Sequence, residues 1–342
     1  MANYSINQPS AYFQAQLYTG NSSTQTVTNG GPANLQPDVV WTKCRSNTSD
    51  NFLFDSIRGV QNQLHPNTTD PQGANATSLT SFNSDGWTMG NTGGMNFSSQ
   101  TYVGWQWKCN AGTSPSNTQG QRTSLVQSNS TAGFNIIQFN DGGSTGQTVG
   151  HGLGEVPSFF LAKNKNSSSG WYGMFPKIWG GNQSSGINTT NAFGTVSGFS
   201  NFTSTLFTSG QSSSSDHICY AWKPIRGYSA FGTYKSNNNA DGPKIFTGFR
   251  PALVLCKMTS GGTNWRMYDS RREGFNPENN YLLTNSTAVE NTAANAELEI
   301  HSNGFKLTNA EGDINYNSEN VLYAAWAELP QVFTDGVPVQ AR

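Results

Sequence analysis

At 342 residues the chain is long enough for two or three domains, and 20 Asp+Glu against 19 Lys+Arg leave a formal net charge of −1. That balance excludes a dominant electrostatic pull towards nucleic acid or an anionic membrane surface. Aromatics at 12% with recurring apolar runs exclude disorder, and 11% charged residues beside 37 glycines fit an all-β chain with long uncharged turns.

Residues 1–12 form a short polar lead, and Met1-Ala2-Asn3-Tyr4 has neither a basic nor an apolar leader region. No apolar run approaches the ~20 residues of a membrane span, so folding in cytosol without membrane insertion is expected. The first strand is aromatic-led, Phe13-Gln14-Ala15-Gln16-Leu17-Tyr18. A Gly/Asn-rich turn follows, then Pro37-Asp38-Val39-Val40-Trp41-Thr42-Lys43. A proline, a short apolar run and a closing lysine describe a strand buried on both faces, entered through a residue that needs no ladder hydrogen bond. Next come a strand over 52–56, a polar loop over 61–77, Gly86-Trp87, and a closing strand ending in Trp107.

The same order returns twice. The second copy leads with Phe134-Asn135-Ile136-Ile137-Gln138-Phe139 and carries Pro157, Lys163, Trp171, Gly198-Phe199 and a closing strand ending in Trp222. The third leads with Tyr228-Ser229-Ala230-Phe231 and carries Pro251, Lys257, Trp265, Gly304-Phe305 and Trp326. Three copies of about 100 residues, each with several short strands, are the size of a β-sandwich rather than of a solenoid turn or propeller blade. The expected architecture is therefore all-β: three tandem, jelly-roll-like β-sandwich units over 13–109, 132–225 and 226–330, with a connector at 110–131 and a tail at 331–342. The connector holds one expected strand, 123–127, and the short link between the last two units predicts that they pack directly. A hairpin centred near Ser49 would set Lys43 opposite Asp55, and one near Thr263 would set Lys257 opposite Asp269. In the second unit Phe175 stands where the aspartate would be.

Chemistry-bearing motifs are weak. Gly142-Gly143-Ser144-Thr145-Gly146 fits the nucleophile-elbow pattern, but the glycine-rich stretch after it cannot hold the required helix, so a hairpin turn is expected. His65, His151, His217 and His301 are scattered, as are Cys44, Cys109, Cys219 and Cys256; neither set has metal-ligand spacing, and buried thiols are expected. Asp55, Asp269, Glu273, Asp313 and Glu328 are available for a glycosidase-type carboxylate pair. The turn Glu311-Gly312-Asp313-Ile314-Asn315 lacks EF-hand spacing for calcium. No cofactor, metal or catalytic residue is assigned. Trp107, Trp222 and Trp326 recur and read as core. Trp179 sits with Lys177 and Asn182 in a glycine-rich stretch particular to the second unit, and these three are the candidate surface contacts.

The chain resembles a class of marine, cyanophage-like tailed-phage proteins. The residues that carry the resemblance are Tyr18-Thr19-Gly20-Asn21, Gln36-Pro37-Asp38-Val39-Val40-Trp41-Thr42-Lys43, Phe54-Asp55-Ser56-Ile57-Arg58-Gly59, Ser84-Asp85-Gly86-Trp87 and Val103-Gly104-Trp105-Gln106-Trp107-Lys108, with Tyr268-Asp269-Ser270-Arg271 and Ser302-Asn303-Gly304-Phe305-Lys306-Leu307 in the third unit. The second unit departs, with Met174-Phe175-Pro176-Lys177 in place of Asp-Ser-x-Arg. The resemblance implies a non-enzymatic virion structural protein, of tail-fibre or appendage type. Its expected partners are other virion proteins or a host-surface glycan, with a homotrimer expected for a fibre. Capsid decoration, a glycan-binding module and a tail polysaccharide depolymerase are the alternatives.

Overall fold

The computed structural model describes residues 6–330 apart from 111, 213, 273–275, 293–296 and 311. The chain is all-β and antiparallel, and its one α-helical segment among the described residues is the single turn Pro176–Trp179. One strand order recurs three times. The larger sheet of the first unit runs Phe13–Thr19, Thr101–Trp107, Val39–Cys44, Asn51–Asp55. The second runs Phe134–Asn140, Asp216–Trp222, Phe159–Asn164, Tyr172–Met174, and the third Ser229–Lys235, Asn320–Trp326, Leu253–Met258, Arg266–Asp269. Each is covered by a three-stranded sheet, such as Gln25–Val27, Gly86–Met89, Leu79–Asn83 in the first unit.

The prolines occupy equivalent places. The residue after each one donates its backbone N–H to the closing tryptophan: Asp38 to Trp107 and Ser158 to Trp222 at 2.8 Å, Ala252 to Trp326 at 2.7 Å. The ladder thus begins one residue past the proline, which has no N–H to offer. Every residue of the three proline strands is buried. The reason is that both faces are covered: Val40 and Cys44 face their own small sheet, while Val39 and Trp41 face the other units.

That second face makes the chain a closed ring. One hydrophobic cluster takes Val39, Trp41 and Trp107 from the first unit, Phe159, Leu161 and Trp222 from the second, and Leu253, Leu255 and Trp326 from the third. The three closing tryptophans form a triangle, with ring centroids 5.5, 5.8 and 6.3 Å apart and interplanar angles of 74°, 68° and 65°. Their indole nitrogens have no hydrogen-bond partner, and the edge-to-face arrangement is the one in which a positive ring edge meets a neighbouring π face. Beside them lies an apolar cavity of about 20 Å³, lined by residues of all three units. Such a cavity offers a water no polar partner.

Three expectations change. The hairpin after the first proline strand centres near Asn47 rather than Ser49: Lys43 pairs with Asn51, and Asp55 lies opposite Val39. Likewise Asp269 lies opposite Leu253, so neither lysine faces its aspartate. The turn centre moves by two residues and the register by four, an even number that keeps every side chain on its face, so alternation in the sequence could not detect it. Phe207 rather than Phe199 matches Trp87 and Phe305: Val149 pairs with Phe207 as Val27 does with Trp87 and Ile245 with Phe305. The strand expected in the connector is present. Ser124–Asn129 pairs with Phe134–Asn140, and Ser116–Asn117 adds to the same edge. Glu273, Glu311 and the tail 331–342 lie outside the described residues.

Candidate functional site: a crown of loops around the axis

The chain enters and leaves every unit at the tryptophan end of the ring, where Lys108 bonds back to Tyr12, Lys223 to Gly133 and Ala327 to Tyr228. At the opposite end, two loops of each unit meet the neighbouring units. The first kind follows the proline strand: 45–50, 165–171 and 259–265. The second lies between a short strand pair: Asn62–Gln63 with Gly73–Ala74, Gln183–Ser185 with Gly194–Thr195, Asn280–Leu283 with Asn291–Thr292.

Each second loop carries Asn-Ser/Thr-Thr: Asn67-Thr68-Thr69, Asn188-Thr189-Thr190, Asn285-Ser286-Thr287. All three do the same work. The asparagine Oδ1 accepts a backbone N–H from Asn51, Trp171 or Trp265, at 2.7, 2.9 and 3.0 Å. The middle hydroxyl accepts from the backbone two residues on, at Asp70, Asn191 or Ala288, forming a local turn.

The threonine carbonyl accepts a lysine from the next unit. Lys43 reaches Thr287 at 3.0 Å, Lys163 reaches Thr69 at 3.0 Å, and Lys257 reaches Thr190 at 3.4 Å. Each ammonium also bonds its own hairpin, at Ser49 O, Ser169 O or Thr263 Oγ1. Backbone bonds run alongside: Gln72 to Lys165, Phe193 to Thr259, Glu290 to Arg45. Burial lowers the pKa of all three lysines to about 8. These cations are fully buried and held by carbonyl and hydroxyl oxygens, so they act as locks rather than reactive amines.

A second ring of contacts lies nearer the tryptophans. Tyr220 of the second unit donates to Asp55 of the first at 2.6 Å, and Trp105 of the first donates to Asp269 of the third at 3.0 Å. Arg58 and Arg272 fold back onto the same two carboxylates. At the third seam the donor position holds Ala324 and the acceptor position Phe175. Donor and acceptor are lost together, so no buried carboxylate is left there without its partner.

The candidate carboxylates are thereby engaged. Asp55 and Asp269 hold their arginines, Asp313 pairs with Arg266, and Glu328 with Arg271. His217 meets Asp141 at 3.0 Å in the second unit's interior, and burial lowers the His151 pKa to about 4. Gly142, Gly143 and Gly146 take positive φ in a turn between two strands, with no helix after it. The four cysteines are free and buried. Among the described residues no three His, Cys, Asp or Glu side chains cluster as metal ligands.

The candidate contacts of the second unit lie apart from the crown. Trp179 ends the helical turn and is half-buried against the central core. Lys177 is exposed and paired with Glu155 at 2.8 Å. Asn182 borders an open depression of about 390 Å³ with Ser200, Asn201 and Phe202.

Against known proteins, one family model matches residues 8–330, all three units together; its description is "Domain of unknown function (DUF7483)". No curated protein and no solved structure matches the chain.

Proposed function

The chain belongs to the DUF7483 family, whose name carries no activity, and we propose from its own geometry that it is a structural component of a phage virion, part of a tail fibre or other external appendage. The observation that carries the reading is closure. The triplicated sandwich commits its apolar faces, its buried lysines, Asp55 and Asp269 to holding one unit against the next. What it leaves to solvent at the crown is mostly Asn, Ser, Thr and Gly, with Asp70 and Val289 among them, and the amides and hydroxyls can meet neighbouring proteins or glycans at small desolvation cost. The same commitments support a non-enzymatic role. The closed ring also forms from one chain, so a homotrimer is not needed to complete the axis. Host-surface contact, if made, falls to outward features such as the Asn182 depression.

Imaging of purified particles with a labelled chain tests the reading. Density on the tail is the expected result. Density on the capsomers would replace it with capsid decoration, and absence from the particle would overturn it. Release of reducing ends from host-envelope polysaccharide would overturn the non-enzymatic role.

A further inference from the structure

A large apolar side chain exposed singly on a surface needs no explanation. Phe97 and Tyr316 do, because they stand at equivalent places in the first and third units. They are 44% and 45% exposed, and each lies at the same spacing before its closing tryptophan, Trp107 or Trp326. The loops that carry them are built alike. Tyr18 and Tyr234 donate their hydroxyls to the carbonyls of Met95 and Ile314, both at 2.9 Å. The next residue, Asn96 or Asn315, is fully buried. Its Oδ1 accepts the backbone N–H of Asn21 or Asn237, at 2.8 and 2.9 Å. Its Nδ2 donates to the carbonyls of Ser23 and Gly90 at 2.6 and 2.8 Å, or to those of Asn239 and Asn309 at 2.9 and 2.8 Å. Each ring therefore projects from backbone that its neighbouring asparagine holds rigid.

The second unit serves as an internal control. Gln211 stands at the asparagine position and bonds Tyr172 instead, and exposed Ser212 stands at the aromatic position. That unit closes the same corner through Asp141, which accepts from Gly143 and Ser215. Closing the sandwich thus requires neither the asparagine clamp nor the ring, yet the two occur together in both other units. The exposed neighbours are uncharged: Ser22, Ser98 and Ser99 beside Phe97, and Asn237, Asn317 and Ser318 beside Tyr316. An apolar ring face among hydroxyls and amides suits a pyranose. The C–H face of the sugar covers the ring, and its hydroxyls exchange hydrogen bonds with Ser and Asn, with no charge to desolvate.

We propose that Phe97 and Tyr316 form two equivalent binding sites for a neutral glycan, which deepens the reading above by naming what a host-surface contact would take. A polymer of repeated sugars that reached both sites would bind more tightly than a single sugar. The test is saturation-transfer NMR on the purified full chain. The probes are neutral oligosaccharides of glucose, galactose, mannose and N-acetylglucosamine, beside sulfated and uronate oligosaccharides. The wild-type chain should transfer saturation to at least one neutral oligosaccharide. Phe97→Ser and Tyr316→Ser, serine being what the second unit has there, should each lower the signal about twofold, as independent sites add. The double variant should lose the signal with an unchanged melting temperature, since both rings are exposed. No transfer to any neutral oligosaccharide, transfer to the charged ones alone, or a wild-type signal in the double variant overturns the proposal. The experiment involves no particle, so each of those results leaves the structural role standing, and that role fails only by the imaging described above.

Discussion

At the scale of single residues, the three buried lysines give the clearest expectations. Their folded-state pKa near 8 lies below the ordinary value of about 10.4. Between those limits the unfolded chain binds more protons, so stability from these groups rises with pH, by about 1.4 kcal/mol per pH unit for each lysine. Below pH 8 both states are charged and the gain is absent. Cys109, Cys219 and Cys256, pushed up by burial, act in the opposite sense once unfolded thiols ionise near pH 8.5. Overall stability therefore mixes the two, and the lysines are better read directly. With lysine labelled at Cε, three NMR signals should titrate with midpoints near 8; no signal titrating near 8 would refute the buried locks. Tyr220→Phe removes the donor to Asp55 while keeping the ring. It should cost about 1.5–3 kcal/mol, the range for hydrogen bonds to charged groups, in urea unfolding; a loss below 0.5 kcal/mol would show that the seam does not depend on this bond.

At the scale of elements, the two-residue shift of the hairpin has a measurable consequence. Lys257 stands at the crown end of its strand, bonded to Thr190 and Thr263, while Asp269 holds Arg272 and Trp105 nearer the tryptophans. They share no partner, so Lys257→Ala and Asp269→Ala should destabilise additively, within about 0.5 kcal/mol in a double-mutant cycle. Coupling above 1 kcal/mol would restore the direct pair. The same strands show what the sequence could reveal. Proline, apolar run and closing tryptophan were legible because ladder chemistry and burial act at fixed spacing, and Phe13, Val39 and Trp107 all meet in one register. The seams were not legible in that way. A lysine bonded to a backbone carbonyl leaves no complementary residue type to find. The Asn-Ser/Thr-Thr triplet was present three times, but Asn67, Asn188 and Asn285 stand at unequal distances from Lys43, Lys163 and Lys257, so fixed-period comparison passes over it. Trp179 was misleading in a related way: its glycine-rich neighbourhood suggested a free loop, whereas the ring packs against the shared core.

At the scale of the whole molecule, what matters is that each sandwich has two cores and only one of them is its own. The inner sides of the three larger sheets pack chiefly against one another, so a unit separated from its neighbours would expose Trp41, Trp105 or Trp265 and its equivalents to water. Burial of side chains that size is worth several kcal/mol each. The loss of one unit should therefore bring down the others, although units of about 100 residues are large enough to fold alone in other proteins. The directional seams reinforce this, since the first unit donates to the third, the second to the first and the third to the second. Calorimetry should show one unfolding transition, with the van't Hoff enthalpy equal to the calorimetric one. Trp326→Ala should lower stability by about 3–5 kcal/mol, because it removes one corner of the tryptophan triangle and leaves a cavity. It should do so without splitting the transition, as the hole lies in the core that all three units share. Separate peaks in the wild-type protein, or a variant in which only the third unit melts early, would mean that the sandwiches are independent bodies and that the axis is only a contact between them.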